Sequence, residues 1–205
     1  MKNMMDALSK NFRKPEGILG KIAGKVMSWE NQEINEWTVE KLEIQSGDNV
    51  LEIGYGPGYG IEYILSNYEG TSVDGADVSE TMKEQAGKRL QSFIEEGRAR
   101  LWAVDIEKAE LEKESYDRVL SVNNYTIWDS PREGLENVVA ALRPGGRAAI
   151  TMQPRQEDAA TEKTKKYAKQ IQDDFLACGM ENIEVSYKDV RPELTVCVTA
   201  VKPVK

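Results

Sequence analysis

The chain has 205 residues, 40% hydrophobic and 30% charged, which fits one soluble globular domain and is too apolar for a disordered one. Its 27 Lys and Arg against 35 Asp and Glu leave a formal charge of −8, which excludes general nucleic-acid binding, because phosphate contacts need clustered positive charge. There is no histidine and there are two cysteines, so His-based catalysis, His-ligated metals and a disulfide framework are all excluded.

Residues 1–47 read as helical. Ile18, Leu19, Ile22, Ala23, Val26 and Met27 recur at i, i+3, i+4 spacing, with Lys21 and Lys25 between them. Ile34, Trp37, Val39 and Leu42 predict a second helix, stopped at Ser46-Gly47-Asp48. The period then changes. Asn49–Ile53 predicts a strand running straight into glycines, Tyr59–Tyr68 a helix, and Ser72–Ala76 a second strand. Ser79 is the predicted N-cap of a helix reaching about Glu96, with Glu80 in its first turn, where the dipole favours an anion. Arg100–Val104 and Arg118–Val122 read as the third and fourth strands. Arg132–Leu142 predicts a helix closed by Pro144-Gly145-Gly146, followed by a fifth strand over Arg147–Met152. Residues 156–178 read as a long charged helix with a solvated face. Ile183, Val185 and Tyr187 alternate with polar residues, as do Leu194, Val196 and Val198, on either side of the turn Asp189-Val190-Arg191-Pro192. No helix separates these two runs, so they pair antiparallel. The expected fold is α/β: a three-layer Rossmann-like sandwich around a mostly parallel seven-stranded sheet, with a C-terminal antiparallel hairpin at its edge. No apolar run approaches the ~18 residues of a membrane helix. Met1–Arg13 lacks the apolar run of a signal peptide, so a cytoplasmic protein without a stable membrane anchor is expected.

The chemistry starts at Glu52-Ile53-Gly54-Tyr55-Gly56-Pro57-Gly58, after the first strand. Glycines there let the backbone turn sharply and approach a ligand, and open α/β sheets bind ligands at the carboxyl ends of their strands. A tight connection with no ligand is the competing reading. Gly54, Gly56 and Gly58 give G-x-G-x-G, and Tyr59 breaks the G-x-G-x-x-G dinucleotide fingerprint, which disfavours a nicotinamide-dependent oxidoreductase. Glu52 suits a ligand with positive charge and an amino group. Asp77 follows Gly54 by 23 residues, close to the ~20 of a carboxylate that binds ribose hydroxyls. Asp74 competes for that role, but it lies within the strand and Asp77 lies at its exit. Asp105, after the third strand, fits an adenine amino group, with Ile106 and Val78 bracketing the ring; a solvated loop acid or helix cap is the alternative.

With these anchors in order, roughly residues 46–201 resemble the class I S-adenosylmethionine-dependent methyltransferases. The similarity is to small bacterial members with a generic methyltransferase domain, akin to the quinone-biosynthesis type. E-I-G-Y-G-P-G resembles the first motif, G-A-D-V-S-E-T-M the second, A-V-D-I-E the adenine-binding stretch, Y-D-R-V-L-S-V-N the fourth strand and L-R-P-G-G-R the turn before the fifth. The resemblance implies S-adenosylmethionine as cofactor, S-adenosylhomocysteine as product, and no metal. It implies cofactor contacts from Glu52, Gly54, Tyr55, Gly56, Gly58, Asp77, Val78, Asp105, Ile106 and Asn123.

The acceptor pocket is then expected above the fourth strand, walled by Tyr125 and Trp128; Trp128 packing the helix near Pro131 is the equal alternative. Asn123-Asn124-Tyr125 lacks both prolines of the N-P-P-Y motif of nucleic-acid amino-methylating enzymes. The resemblance implies an N-terminal lid segment over residues 1–47, with Trp29, Asn31 and Trp37 as lid candidates, and a methyltransferase domain over 48–205. The stripe Ile18–Met27 fits packing on the domain, and alternatively a membrane-touching face. Two cysteines are too few for an arsenic-type methyltransferase. The sulfonium is already activated, so aligned in-line transfer needs no enzyme nucleophile, and no base is assigned. The expected acceptor is a small molecule. A protein or RNA methyltransferase and a non-catalytic cofactor-binding scaffold are the rivals. A monomer or a homodimer is expected.

Overall fold

Strands and helices alternate in the computed structural model, which describes residues 32–154, 160–190 and 193–204. The stripe Ile18–Met27, Trp29 and Asn31 lie outside the described residues. The order is α1 (Gln32–Leu42), β1 (Asn49–Ile53), α2 (Tyr59–Asn67), β2 (Ser72–Asp77), α3 (Glu80–Arg89), α4 (Gln91–Glu95) and β3 (Ala99–Ala103). Then come β4 (Tyr116–Val122), a 3₁₀ turn (Tyr125–Ile127), α5 (Pro131–Ala141), β5 (Leu142–Met152), α6 (Ala160–Ala177), β6 (Glu181–Val190) and β7 (Glu193–Val201).

One sheet has the order β3-β2-β1-β4-β5-β7-β6. The β1 pairings with β2 and β4, and the β2–β3 and β4–β5 pairings, are parallel. β7 runs antiparallel between β5 and β6, so β6 alone of the hairpin forms the edge. The order reverses between β1 and β4, which puts a crevice at their carboxyl ends. Val50, Leu51 and Ile53 of β1 and Val119 and Leu120 of β4 are buried, as central strands covered on both faces require.

Three local expectations are revised. The helix expected from Ser79 to Glu96 is two helices, broken at Leu90. Ser79 caps the first, accepting from the Met82 N–H at 3.3 Å. The buried Leu90 side chain packs close to Gly58 in the loop before α2, which favours a break over a straight helix. Pro144-Gly145-Gly146 does not separate α5 from β5, because Leu142 already pairs with Tyr116. These residues form a bulge, and the ladder resumes at Arg118 and Arg147. The Gly145 N–H donates to the Lys202 carbonyl at 2.8 Å, which closes the bulge against the chain's end. The hairpin strands also run closer to their turn than expected, to Val190 and from Glu193.

Helix α1 packs on β4 and β5 and against α2. Its Ile34, Trp37, Val39 and Leu42 are buried. The Thr38 and Thr151 hydroxyls meet at 2.7 Å, and the Tyr59 hydroxyl at the start of α2 donates to Glu36 at 2.5 Å. No helix among the described residues is long and apolar enough to cross a membrane.

Candidate active site

A cleft of about 230 Å³ opens at the carboxyl ends of β1, β2, β3 and β4. Ile53 and Gly54 line it from β1, Ala76, Asp77 and Val78 from β2, and Val104, Asp105 and Ile106 from the loop after β3. Asn124, Ile127, Trp128 and Asp129 close it from the segment after β4. Four of the anticipated cofactor contacts beyond the glycine loop, Asp77, Val78, Asp105 and Ile106, therefore line one cavity, together with Trp128.

Asp77 is placed by the exit of β2. One carboxylate oxygen accepts from the Gly56 N–H and the other from the Ser79 N–H, both at 2.9 Å. Burial pushes its pKa upward, and these two bonds oppose the shift. A carboxylate has about four lone-pair sites, so two remain for a diol. Asp74 has no such capacity. Arg100 grips it through bonds of 2.8 and 2.7 Å, and the Tyr116 hydroxyl adds a third at 2.8 Å. Asp105 lines the cleft and also accepts from the Glu107 N–H at 3.2 Å, so its loop-acid role and its cleft position coexist. The Asn137 amide holds that loop by donating to the Ile106 and Ala109 carbonyls at 2.8 and 2.7 Å.

Glu52 lies behind the glycine loop, 3% exposed. Its carboxyl abuts Gly60, where a Cβ would come within 2.5 Å of Oε1. The Ile61 N–H donates to it, and Oε2 has no hydrogen-bond partner among the described residues. Burial first, and then the negative charge of Asp77, push its pKa from 4.5 up to about 8. A buried carboxyl beside a second carboxylate, with one oxygen orphaned, fits a ligand that brings positive charge. Tyr55 turns inward. Its hydroxyl donates to the Trp102 carbonyl at 3.2 Å and its ring passes over Gly75, so it braces the loop from inside. Burial, then Asp77, raise its pKa. Gly58 caps α2 at φ 85, a left-handed conformation that favours glycine.

The segment after β4 corrects two placements. Asn123 is not among the residues lining the cleft. It takes the left-handed turn at φ 52, and its Oδ1 accepts from the Gln153 N–H at 2.7 Å. The next residue, Asn124, faces the cleft and lies over Gly54, where a Cβ would fall 2.3 Å from Asn124 Cγ. Asparagine is favoured in left-handed turns, and two in succession left open which would turn and which would face out. Tyr125 is 1% exposed, too buried to wall the pocket itself. Its hydroxyl donates to Asp174 of α6, and its ring meets Trp128 edge-on at 5.2 Å. Trp128 combines two positions. It lines the cleft, and it packs on α5, where a Cβ at Gly134 would come within 2.9 Å of its ring. Trp29 lies outside the described residues. Among the described residues no group of three or more acids and cysteines gathers to hold a metal ion.

The chain is similar to known methyltransferases in sequence and in fold. The family described as "Methyltransferase domain" matches residues 50–146. An uncharacterized methyltransferase of Bacillus subtilis, YdaC, is 46% identical over 182 residues, covering 89% of this chain and 98% of the relative. A chain from the complex of the Haloferax volcanii Trm112 methyltransferase activator with a methyltransferase superposes with a TM-score of 0.75 at 16% identity, over 88% of this chain and 93% of that one. Phosphoethanolamine N-methyltransferase 2 of Haemonchus contortus, solved with phosphomonomethylethanolamine and S-adenosylhomocysteine, gives 0.69 at 21% identity, over 83% of this chain and 52% of that one. The chain belongs to the class I S-adenosylmethionine-dependent methyltransferases.

Proposed function

We propose that this methyltransferase acts on a small-molecule acceptor and holds its cofactor in the cleft at the carboxyl ends of β1–β4. When bound, S-adenosylmethionine supplies a methyl group already activated on sulfur. In this reading Asp77 takes the ribose hydroxyls on its two remaining lone-pair sites. Val78 and Ile106 bracket the adenine, and Asp105 meets its amino group. Glu52 answers the positive charge of the amino-acid end. The backbone at Gly54, Gly56 and Gly58 lets the ligand approach the strand tip. The chain's own contribution to the reaction is alignment and exclusion of water, which Trp128 and Ile127 support as apolar walls.

The single observation that carries the small-acceptor reading is the shortness of two connections at the sheet's carboxyl edge beside the cleft. Met152 leads to Ala160, and Val190 to Glu193, with no space for an inserted recognition module. A macromolecular acceptor needs a large contact surface, and a nucleic acid needs clustered cations. Among the described residues, the charged side chains lining the cleft, Asp77, Asp105 and Asp129, are all acids.

Two measurements test this. Calorimetric titration with S-adenosylmethionine, S-adenosylhomocysteine and NAD is expected to show micromolar binding of the first two and none of the third. Methyl-labelled cofactor is then offered to a panel of small acceptors and, separately, to cell protein and RNA. Label on a small molecule supports the proposal, and label confined to protein or RNA overturns it.

A further inference from the structure

The cleft has an imbalance of hydrogen-bonding groups. Among the described side chains that line it, Asp77, Asp105 and Asp129 only accept when ionised, and the others apart from Asn124 and Trp128 are apolar or glycine. The side-chain donors are the Asn124 amide and the Trp128 indole. The indole N–H is already spent, donated to Asn124 Oδ1 at 2.6 Å. An indole nitrogen is a donor only, so the atom it meets must be the amide oxygen. That contact fixes the amide's orientation. The Asn124 NH₂ is left at the strand tip beside Gly54, without a hydrogen-bond partner among the described residues.

Along the sheet order, Asp105, Asp77, Gly54 and Asn124 follow one another across the tips of β3, β2, β1 and β4. With the adenosine at the first two, Asn124 stands at the amino-acid end. That end is a zwitterion. Glu52 suits its ammonium, and its carboxylate needs a donor among neighbours that repel it. Resting on the cofactor reading of this cleft, we propose that the Asn124 amide binds the cofactor's carboxylate and that Trp128 acts as a positioning residue, holding the amide in the orientation that does so.

The test is calorimetry with two ligands, S-adenosylhomocysteine and 5′-methylthioadenosine, which shares the adenosine and sulfur but lacks the amino-acid part. Asn124→Asp keeps the shape, removes the donor and adds a charge. It is expected to weaken S-adenosylhomocysteine about tenfold or more, the weight of a hydrogen bond to a charged group, and to leave methylthioadenosine within about twofold. Trp128→Phe keeps an aromatic ring against α5 and deletes the indole N–H together with the five-membered ring that carries it. It is expected to shift the same ratio in the same direction, by less. A purely structural role weakens both ligands together, and that result overturns the proposal, as does an unchanged S-adenosylhomocysteine affinity in Asn124→Asp. If the unmodified chain binds neither ligand, the cofactor reading itself fails, and this outcome is distinct from the other two.

Discussion

The middle and the exit of β2 carry two carboxylates three residues apart, and the chain treats them oppositely. Asp74 is saturated by Arg100 and the Tyr116 hydroxyl, so its charge is neutralised inside the protein. Asp77 has two backbone N–H groups and, among the described residues, no cation. The neighbouring strand repeats the second pattern, since Glu52 is buried with an orphaned oxygen and faces another acid. A buried charge without a counter-charge costs stability, and a fold retains one only where something else compensates. The framework acid has its partner in the chain. Asp77 and Glu52 have no ion-pair partner among the described residues.

The largest expected effects break the exit of β2. Asp77→Ala removes two prospective hydrogen bonds to a charged group, and calorimetry is expected to show the affinity for S-adenosylhomocysteine fall by about 100-fold or more. Gly54→Ala does comparable damage by another route. The new Cβ falls on the Asn124 side chain, and the residue sits at φ 73, so both strain and collision oppose it. If either variant binds as the parent does, the cofactor lies elsewhere.

The next effect belongs to the framework acid and reads out in a different observable. Asp74→Ala strands the buried Tyr116 hydroxyl, while Arg100, largely exposed, turns to water. The loss is about 1–3 kcal/mol, which thermal unfolding should report as a midpoint several degrees lower. Cofactor affinity at a temperature where the variant stays folded is expected to match the parent. A variant that keeps its midpoint and loses its ligand would reverse the comparison.

How much of this was legible before the structure follows from where each feature stores its information. The Gly-rich loop, the exit position of Asp77 and the change of period at Asn49 are local in sequence, and they were read directly. The choice of Asp77 over Asp74 was also local, because strand interior and strand exit differ in position along one segment. Its physical reason was not local: Arg100 and Tyr116 reach Asp74 from two other strands. Asn124 escaped for a related cause. Its neighbour took the left-handed turn, and only the pairing of Trp128 with one of the two asparagines decided which amide faces the cleft. Tyr125 looked like a pocket wall because aromatic residues after the fourth strand suit that place, yet Asp174 on α6 draws its hydroxyl into the core. The break at Leu90 and the bulge at Pro144-Gly145-Gly146 depended on contacts with Gly58 and Lys202 that no window of local sequence contains.

A pH series sharpens the comparison further. Glu52 titrates near 8 in the folded chain, against 4.5 for an ordinary glutamate. The unfolded chain therefore sheds this proton first, and between about 4.5 and 8 the folded state holds more protons than the unfolded. Stability of the ligand-free protein falls as pH rises through that window, because proton loss favours the state that ionises more readily. Above 8 both states are ionised and the contribution of Glu52 to the slope ends. Asp77 is shifted in the same direction, so it steepens the loss. Glu52→Gln is close in shape to the neutral acid, and below about pH 4.5, where the parent's Glu52 is protonated in both states, its unfolding midpoint is expected to stay near the parent's. From about pH 4.5 to 8 the variant is expected to lose less stability than the parent, a difference that thermal unfolding across a pH series can read. Parallel curves for the two proteins would mean that Glu52 is already ionised in the free chain, with a counter-charge inside the fold, as Asp74 has.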